Sequence, residues 1–227
     1  IEIPGAKNAI LPIMACSLLS NKNLKLLNVP NLVDIKTMQI LLESFGVKIL
    51  KQKDSISLIT KNVSNHVANY DLVRKMRASI LVLGPLLSRF RNVKISLPGG
   101  CAIGLRPINL HLFGLEQLGA SFKVEDGYVV GNIKENFKGK TIKLPMNSVG
   151  ATENIIMAAV LAEGKTTIIN AAKEPEIIDL SNCLNKMGAK IFDAGKNIIE
   201  IEGVTTLKEA SHSIISDRIV AGTYLIA

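Results

Sequence analysis

The chain has no tryptophan, and aromatic residues make up only 4% of its 227 residues. Its core must therefore be aliphatic. Aromatics interleaved with cations are missing too, and the lysines are scattered rather than gathered in a dense run. That argues against a nucleic-acid partner, which wants stacking platforms and basic clusters. There is no Cys-x-x-Cys or His-x-x-x-His pattern, so no metal site is expected. Three cysteines, an odd number at unrelated spacings, do not form a disulfide framework. They point to free thiols in a reducing compartment, and hence to a cytoplasmic location. No apolar run is long enough to span a bilayer, and no targeting segment is visible, so no membrane partner is expected.

What is present is an ordinary apolar fraction of 48% and a net charge of +8. Scattered positive charge without stacking groups favours small anionic ligands. The most informative stretch is Ser96-Leu97-Pro98-Gly99-Gly100-Cys101-Ala102-Ile103-Gly104-Leu105-Arg106-Pro107. Three glycines and two prolines among residues 98–107 exclude a helix or a regular strand there. Cys101 thus sits in an open loop near Arg106, the setting of a reactive thiol rather than a packed one. Arg106 suits bidentate contact with a carboxylate or phosphate, or a hydrogen bond that fixes the loop. Cys16 and Cys183 lie in apolar, helix-like surroundings and read as small core residues.

Three segments share one layout: helix, strand, helix, hairpin. Their first helices open at Gly5-Ala6-Lys7-Asn8-Ala9, Met76-Arg77-Ala78-Ser79 and Val149-Gly150-Ala151-Thr152. Strands are expected at residues 24–27, 93–97 and 166–169. Prolines 30, 107 and 175 precede the second helices, which close at Gly46, Gly119 and Gly188. Asp126-Gly127 between two apolar runs is a strong hairpin signal. The unit is far longer than a solenoid repeat. It predicts an α/β fold with sheets outside and helices packed inside. Asp217-Arg218-Ile219-Val220-Ala221-Gly222 looks like the opening of a fourth unit.

Lys7, Arg77 and Ser148 all fall at the start of a first helix. Helix N-termini carry unpaired N–H groups and bind anions readily. If the repeat brings these ends together, they form a phosphate or carboxylate site. The plainer readings are solvated charge for Lys7 and Arg77, and an N-cap for Ser148. His66, His111 and His212 suggest no chemistry, and His111 fits a satisfied core histidine. Glu174-Pro175-Glu176 reads as a turn into a helix. Asp34, Asn109 and Asp179 correspond by repeat, which suggests a shared structural role.

Four motifs together resemble the UDP-N-acetylglucosamine 1-carboxyvinyltransferase family. They are Gly5-Ala6-Lys7-Asn8-Ala9, Met76-Arg77-Ala78-Ser79, Leu97-Pro98-Gly99-Gly100-Cys101-Ala102-Ile103-Gly104 with Arg106-Pro107, and Ser148-Val149-Gly150-Ala151-Thr152-Glu153-Asn154. The resemblance runs in order over essentially the whole chain. It implies the enolpyruvyl transferase fold, in which two domains are each built from three βαβαββ units. It also implies transfer of enolpyruvyl from phosphoenolpyruvate to the 3-hydroxyl of UDP-N-acetylglucosamine, with release of phosphate. This is the first committed step of bacterial peptidoglycan synthesis, and no cofactor is implied.

By the same resemblance Cys101 is the catalytic acid and the residue that fosfomycin alkylates. Lys7 and Arg106 match residues that engage phosphate and carboxylate charge, and Asn8 one that contacts both substrates. Arg77, Arg106, Pro107, Ile108, Asn109, Leu110, Ser148 and Val149 match positions lining the UDP-sugar site. Asn109 stands where the family is expected to have an aspartate on the uracil, so uridine affinity is expected to fall. Met146 and Asn147 depart from the family pattern and carry no role over.

Residues 5–215 are expected to form one complete domain of three repeats. Residues 1–4 and 216–227 read as remnants of a second domain that is otherwise missing. A chain without that second half is expected not to turn over. Other readings are a non-catalytic UDP-sugar-binding or decayed domain of the same fold, the related shikimate-pathway transferase, and an RNA cyclase-like nucleic-acid module. The shikimate-pathway enzyme does not use this cysteine loop.

Overall fold

The computed structural model describes residues 2–74, 76–97 and 108–227. Cys101, Arg106 and Pro107 lie outside the described residues.

Three four-stranded sheets enclose a shared set of helices. The first begins with helix α1 (Lys7–Cys16), followed by a 3-10 turn (Ser17–Leu19), β1 (Leu24–Leu27), α2 (Val33–Ser44), β2 (Lys48–Gln52) and β3 (Ser55–Ile59). The second comprises β4 (Val67–Ala68), the short helix α3 (Tyr70–Val73), a 3-10 turn (Arg77–Val82), α4 (Leu83–Phe90), β5 (Asn92–Ser96), α5 (Asn109–Leu118), β6 (Ser121–Glu125) and β7 (Tyr128–Asn132). The third runs through β8 (Thr141–Lys143), α6 (Val149–Ala159), β9 (Lys165–Ile169), α7 (Pro175–Lys186), β10 (Lys190–Phe192) and β11 (Ile198–Glu202). Strand β12 (Ala210–Ser213) and helix α8 (Arg218–Ile226) complete the chain.

The strand orders are β12-β1-β3-β2, β4-β5-β7-β6 and β8-β9-β11-β10. Each sheet thus has one leading strand parallel to its neighbour, plus an antiparallel hairpin. The helix–strand–helix–hairpin reading omitted the leading strand, because two to four residues give too short a run for a period-2 signal. In the first sheet that strand is not local at all. It is β12, with Leu24 opposite Ala210 and Leu27 opposite Ser213. The chain crosses itself there: Gly5 bridges Ser216, the Ala6 amide donates to the Ile215 carbonyl at 2.7 Å, and the Asp217 amide donates to the Pro4 carbonyl at 2.9 Å.

The helices form the interior and the sheets the outside, as expected. Helix α6 is enclosed on every side: residues 151–159 are all buried. Such a helix belongs in a core. Its neighbours approach closely through glycines. A β-carbon on Gly84 would stand 2.6 Å from the Asn154 carbonyl oxygen, and one on Gly114 would press into the end of Ile155. Strands alternate as half-buried strands should: Leu24 and Leu26 face in, Lys25 and Leu27 out.

The second repeat's first helix is not one continuous α-helix. It opens as a 3-10 turn and becomes α-helical only at Leu83. Pro85 explains part of this, since it has no N–H to donate backwards and disfavours helical backbone before it. Gly46, Gly119 and Gly188 follow the second helices with φ of 101°, 118° and 98°. This is the left-handed conformation that ends helices and favours glycine. At the predicted hairpin, Asp126 (φ 50°) and Gly127 (φ 77°) form the two-residue turn between β6 and β7.

The shared role for Asp34, Asn109 and Asp179 does not hold. Asp34 makes a surface ion pair with Lys7 at 3.0 Å. Asp179 is buried and accepts from His212 Nε2 at 2.9 Å. Asn109 is exposed in the first turn of α5. The three helices begin at different offsets from their prolines, so positions that align in sequence meet different neighbours.

Candidate functional site

The starts of the three repeats' first helices meet at one cavity of about 480 Å³. Asn8 comes from α1, Arg77 from the 3-10 turn before α4, and Ser148, Val149 and Gly150 from α6. Leu11, Pro12, Ile80 and Leu81 add apolar lining. Pro12 also removes the amide that would have bonded the Asn8 carbonyl within α1.

Ser148 is an N-cap: its Oγ accepts from the Ala151 amide at 3.4 Å. Thr152 holds the same turn by donating to the Ser148 carbonyl at 2.7 Å, while its oxygen accepts from the Ala172 amide at 3.1 Å. The capping and lining readings of Ser148 are thus compatible. The Val149 and Gly150 amides, first in α6, have no helical acceptor and find none among the described residues. Together with Arg77 they give this end of the cavity an anion-binding character.

Lys7 does not line the cavity. Its ammonium is held by Asp34, and its amide donates to Asp217 Oδ2 at 3.3 Å. The other Asp217 oxygen accepts from the Ile219 and Val220 amides at 2.9 and 3.2 Å. One carboxylate therefore caps both α1 and α8. Ile108, Asn109 and Leu110 do not line the cavity either. Ile108 and Leu110 pack partly against the core.

Sequence reasoning missed five polar lining residues: His111, Glu153, Glu174, Glu176 and Arg218. His111 of α5 is 5% exposed and forms part of the wall. Burial, and then the charge of Arg77, push its imidazole down to about 4, so the ring is neutral at pH 7. Glu153 of α6 is buried, and burial followed by the charges of Glu176 and Glu174 holds its carboxyl well above the usual carboxylate range. Glu176 is buried and pairs with Arg218 at 3.0 Å. The predicted turn at Glu174-Pro175-Glu176 is real, with Pro175 in the first turn of α7, yet both glutamates also line the cavity. For His111 and Glu153 the sequence signal was a His or Glu one helical turn from an assigned position, which is common on any helix; Glu174, Glu176 and Arg218 lie far along the chain from any such position.

Among the described residues, no group of three or more His, Cys, Asp or Glu could hold a metal ion. None of the described helices is long and apolar enough to cross a membrane.

A family model described as EPSP synthase (3-phosphoshikimate 1-carboxyvinyltransferase) matches residues 1–227. The chain belongs to this carboxyvinyltransferase family.

Within the family, curated relatives similar to it are UDP-N-acetylglucosamine 1-carboxyvinyltransferases. Those of Rickettsia felis and Granulibacter bethesdensis are 53% and 54% identical over all of the chain, which covers 55% and 54% of their lengths. The enzyme of Shewanella sediminis is 51% identical, again over all of the chain and 54% of its own length. The chain thus spans about half the length of the curated relatives it matches. Two solved structures carry the fold. The enolpyruvyl transferase NikO from Streptomyces tendae aligns with a TM-score of 0.87 at 19% identity, over 98% of this chain and 53% of that one. EPSP synthase from Acinetobacter baumannii aligns with a TM-score of 0.79 at 19% identity, over 100% of this chain and 52% of that one. The carboxyvinyltransferase fold is therefore the one expected, with βαβαββ units, helices inside and sheets outside.

Proposed function

We propose that this chain is the cysteine-bearing half of an enzyme that transfers enolpyruvyl from phosphoenolpyruvate to the 3-hydroxyl of UDP-N-acetylglucosamine, releasing phosphate. The observation that carries this reading is the meeting of Asn8, Arg77, Ser148 and Val149 in one cavity. These residues come from three separate helix starts, up to 141 positions apart, and the motif resemblance assigns all of them to substrate. The relatives' shared name supplies the substrate.

Each role has a physical basis. The first turn of α6 and Arg77 attract the diphosphate of a nucleotide sugar. Cys101 protonates the methylene of phosphoenolpyruvate as the sugar oxygen adds to the neighbouring carbon and gives its own proton to a general base; the adduct then loses phosphate and one methyl proton, which restores the carbon–carbon double bond. Lys7 and Arg106 stabilise the phosphate and carboxylate charge that concentrates in the tetrahedral adduct. For Lys7 this requires the ammonium to leave Asp34, an exposed pair that costs little to break. Residues 5–215 form one domain of three repeats, and residues 1–4 and 216–227 belong with a second. The reaction serves peptidoglycan synthesis in the bacterial cytoplasm.

Fosfomycin treatment followed by peptide mass spectrometry tests the reading. Cys101 is expected to be alkylated, and faster with UDP-N-acetylglucosamine present. Cys16 and Cys183 are expected to stay unmodified until the chain is unfolded. Both are buried, and the Cys183 thiol against Cys16, together with burial, pushes the Cys16 thiol up. A Cys101 that stays intact, or one whose reaction ignores the nucleotide sugar, would contradict the proposal. Without a second half the chain is expected to release no phosphate from the two substrates, and turnover by the 227-residue chain would overturn that part.

A further inference from the structure

The cavity holds one aromatic side chain whose polar atoms are only half used. His111 Nδ1 lies 2.8 Å from Asn154 Nδ2. Two other bonds fix the orientation of that amide. Asn154 Oδ1 accepts from the Gly84 amide at 2.9 Å, which only an oxygen can do, and Nδ2 donates to the Ile80 carbonyl at 3.1 Å. The remaining Asn154 N–H therefore points at His111 Nδ1 and leaves that atom the acceptor role. In the neutral ring the proton sits on Nε2.

Nε2 meets no donor or acceptor among the described residues. It lies against the first turn of α6, where a β-carbon on Gly150 would stand 3.2 Å from Nε2 and 2.9 Å from Cε1. Glycine at 150 is what lets the imidazole approach the helix start. The Val149 and Gly150 amides there also lack acceptors among the described residues. Of the cavity's three carboxylates, Glu176 is taken by Arg218, Glu174 accepts from the Lys173 amide at 2.9 Å, and Glu153 is held toward its neutral form by burial. An uncharged donor, two amides and the nearby Arg77 suit a ligand oxygen that only accepts.

We propose that His111 is a binding residue of this site, its Nε2–H donating a hydrogen bond to a phosphoryl oxygen of a nucleoside diphosphate seated on the first turn of α6. The inference rests on the UDP-sugar reading and adds to it a residue that reads from sequence as core filling. Asn154 becomes the positioning residue, since it selects the tautomer that can donate.

Long-range proton–nitrogen NMR of the imidazoles at pH 7 tests this on the unaltered chain. Free His111 is expected as the Nε2–H tautomer. Inorganic pyrophosphate and UDP-N-acetylglucosamine should each shift that proton signal and slow its exchange, whereas uridine should not. In calorimetry, His111→Phe should weaken both phosphate-bearing probes about tenfold and leave any uridine binding unchanged. An Nδ1–H tautomer, or binding of both probes with a silent Nε2–H, overturns this inference alone. A shift with pyrophosphate but no binding of UDP-N-acetylglucosamine keeps the donor and overturns the nucleotide-sugar reading. Binding of neither probe overturns both.

Discussion

Glu153 faces the cavity from one turn inside α6, with two more glutamates nearby and no hydrogen-bond partner among the described residues. Burial disfavours its charge, and Glu176 and Glu174 add repulsion. The folded-state pKa therefore lies above the unfolded value. Above pH 4.5 the unfolded chain gives up this proton more readily than the folded one, so stability falls as pH rises through the folded pKa. Glu153→Gln removes that loss. The variant should melt higher than the parent at pH 7, and the gap should close as pH falls toward 4.5. Each kcal/mol gained corresponds to about 2–4 °C in a chain of this size. Thermal melts across that range check it, and a gap that widens on acidification would contradict it. At this scale the sequence was least legible. Ser148 announced itself as a cap, but nothing local separates Glu153 or His111 from the other residues on their helices. Their significance comes from what packs against them.

Elements were easier to read, because their signals are local. The closing glycines and the Asp126-Gly127 turn mark positions where the backbone needs positive φ, and each appears where the pattern put it. The leading strands came only from the family resemblance and not from the residue pattern, because β4 has only two residues and β8 three. Packing between elements is also partly hidden, since a helical glycine looks like a weakness until its neighbour is known. Gly84 and Gly114 make a controlled comparison. At Gly84 the obstacle is the Asn154 backbone carbonyl, which cannot move without shifting α6. At Gly114 it is the end of the Ile155 side chain, which can turn aside. Gly84→Ala should cost about 2–3 kcal/mol and Gly114→Ala about 1 kcal/mol. Urea denaturation of the two variants measures this, and equal costs would mean that α6 is not the fixed element.

For the molecule as a whole, the three-part organisation and the inside-out layering were visible in the repeat, because each unit carries its own helix and turn signals. The closure of the first sheet was not, because pairing between residues 24–27 and 210–213 leaves no periodic trace in either segment. Arg89 adds a second tie between units: from α4 it donates to the Leu18 and Ser20 carbonyls at 3.2 and 2.8 Å and to the Thr60 carbonyl at 3.0 Å. Ending the chain after residue 208 should strip amide hydrogen-exchange protection from β1 while β9 and β11 keep theirs. Uniform loss over all three sheets would instead mean that they unfold as one. The same pairing sets an order of events during synthesis. Strands β1 to β3 emerge from the ribosome before the other two sheets, yet their outer edge stays bare until residues 210–213 have followed. For that interval Leu24–Leu27 is an open strand edge beside apolar surface, which invites pairing with other chains. Of the three sheets, the one begun before the others is closed after them, and a nascent chain should depend most on chaperone cover there.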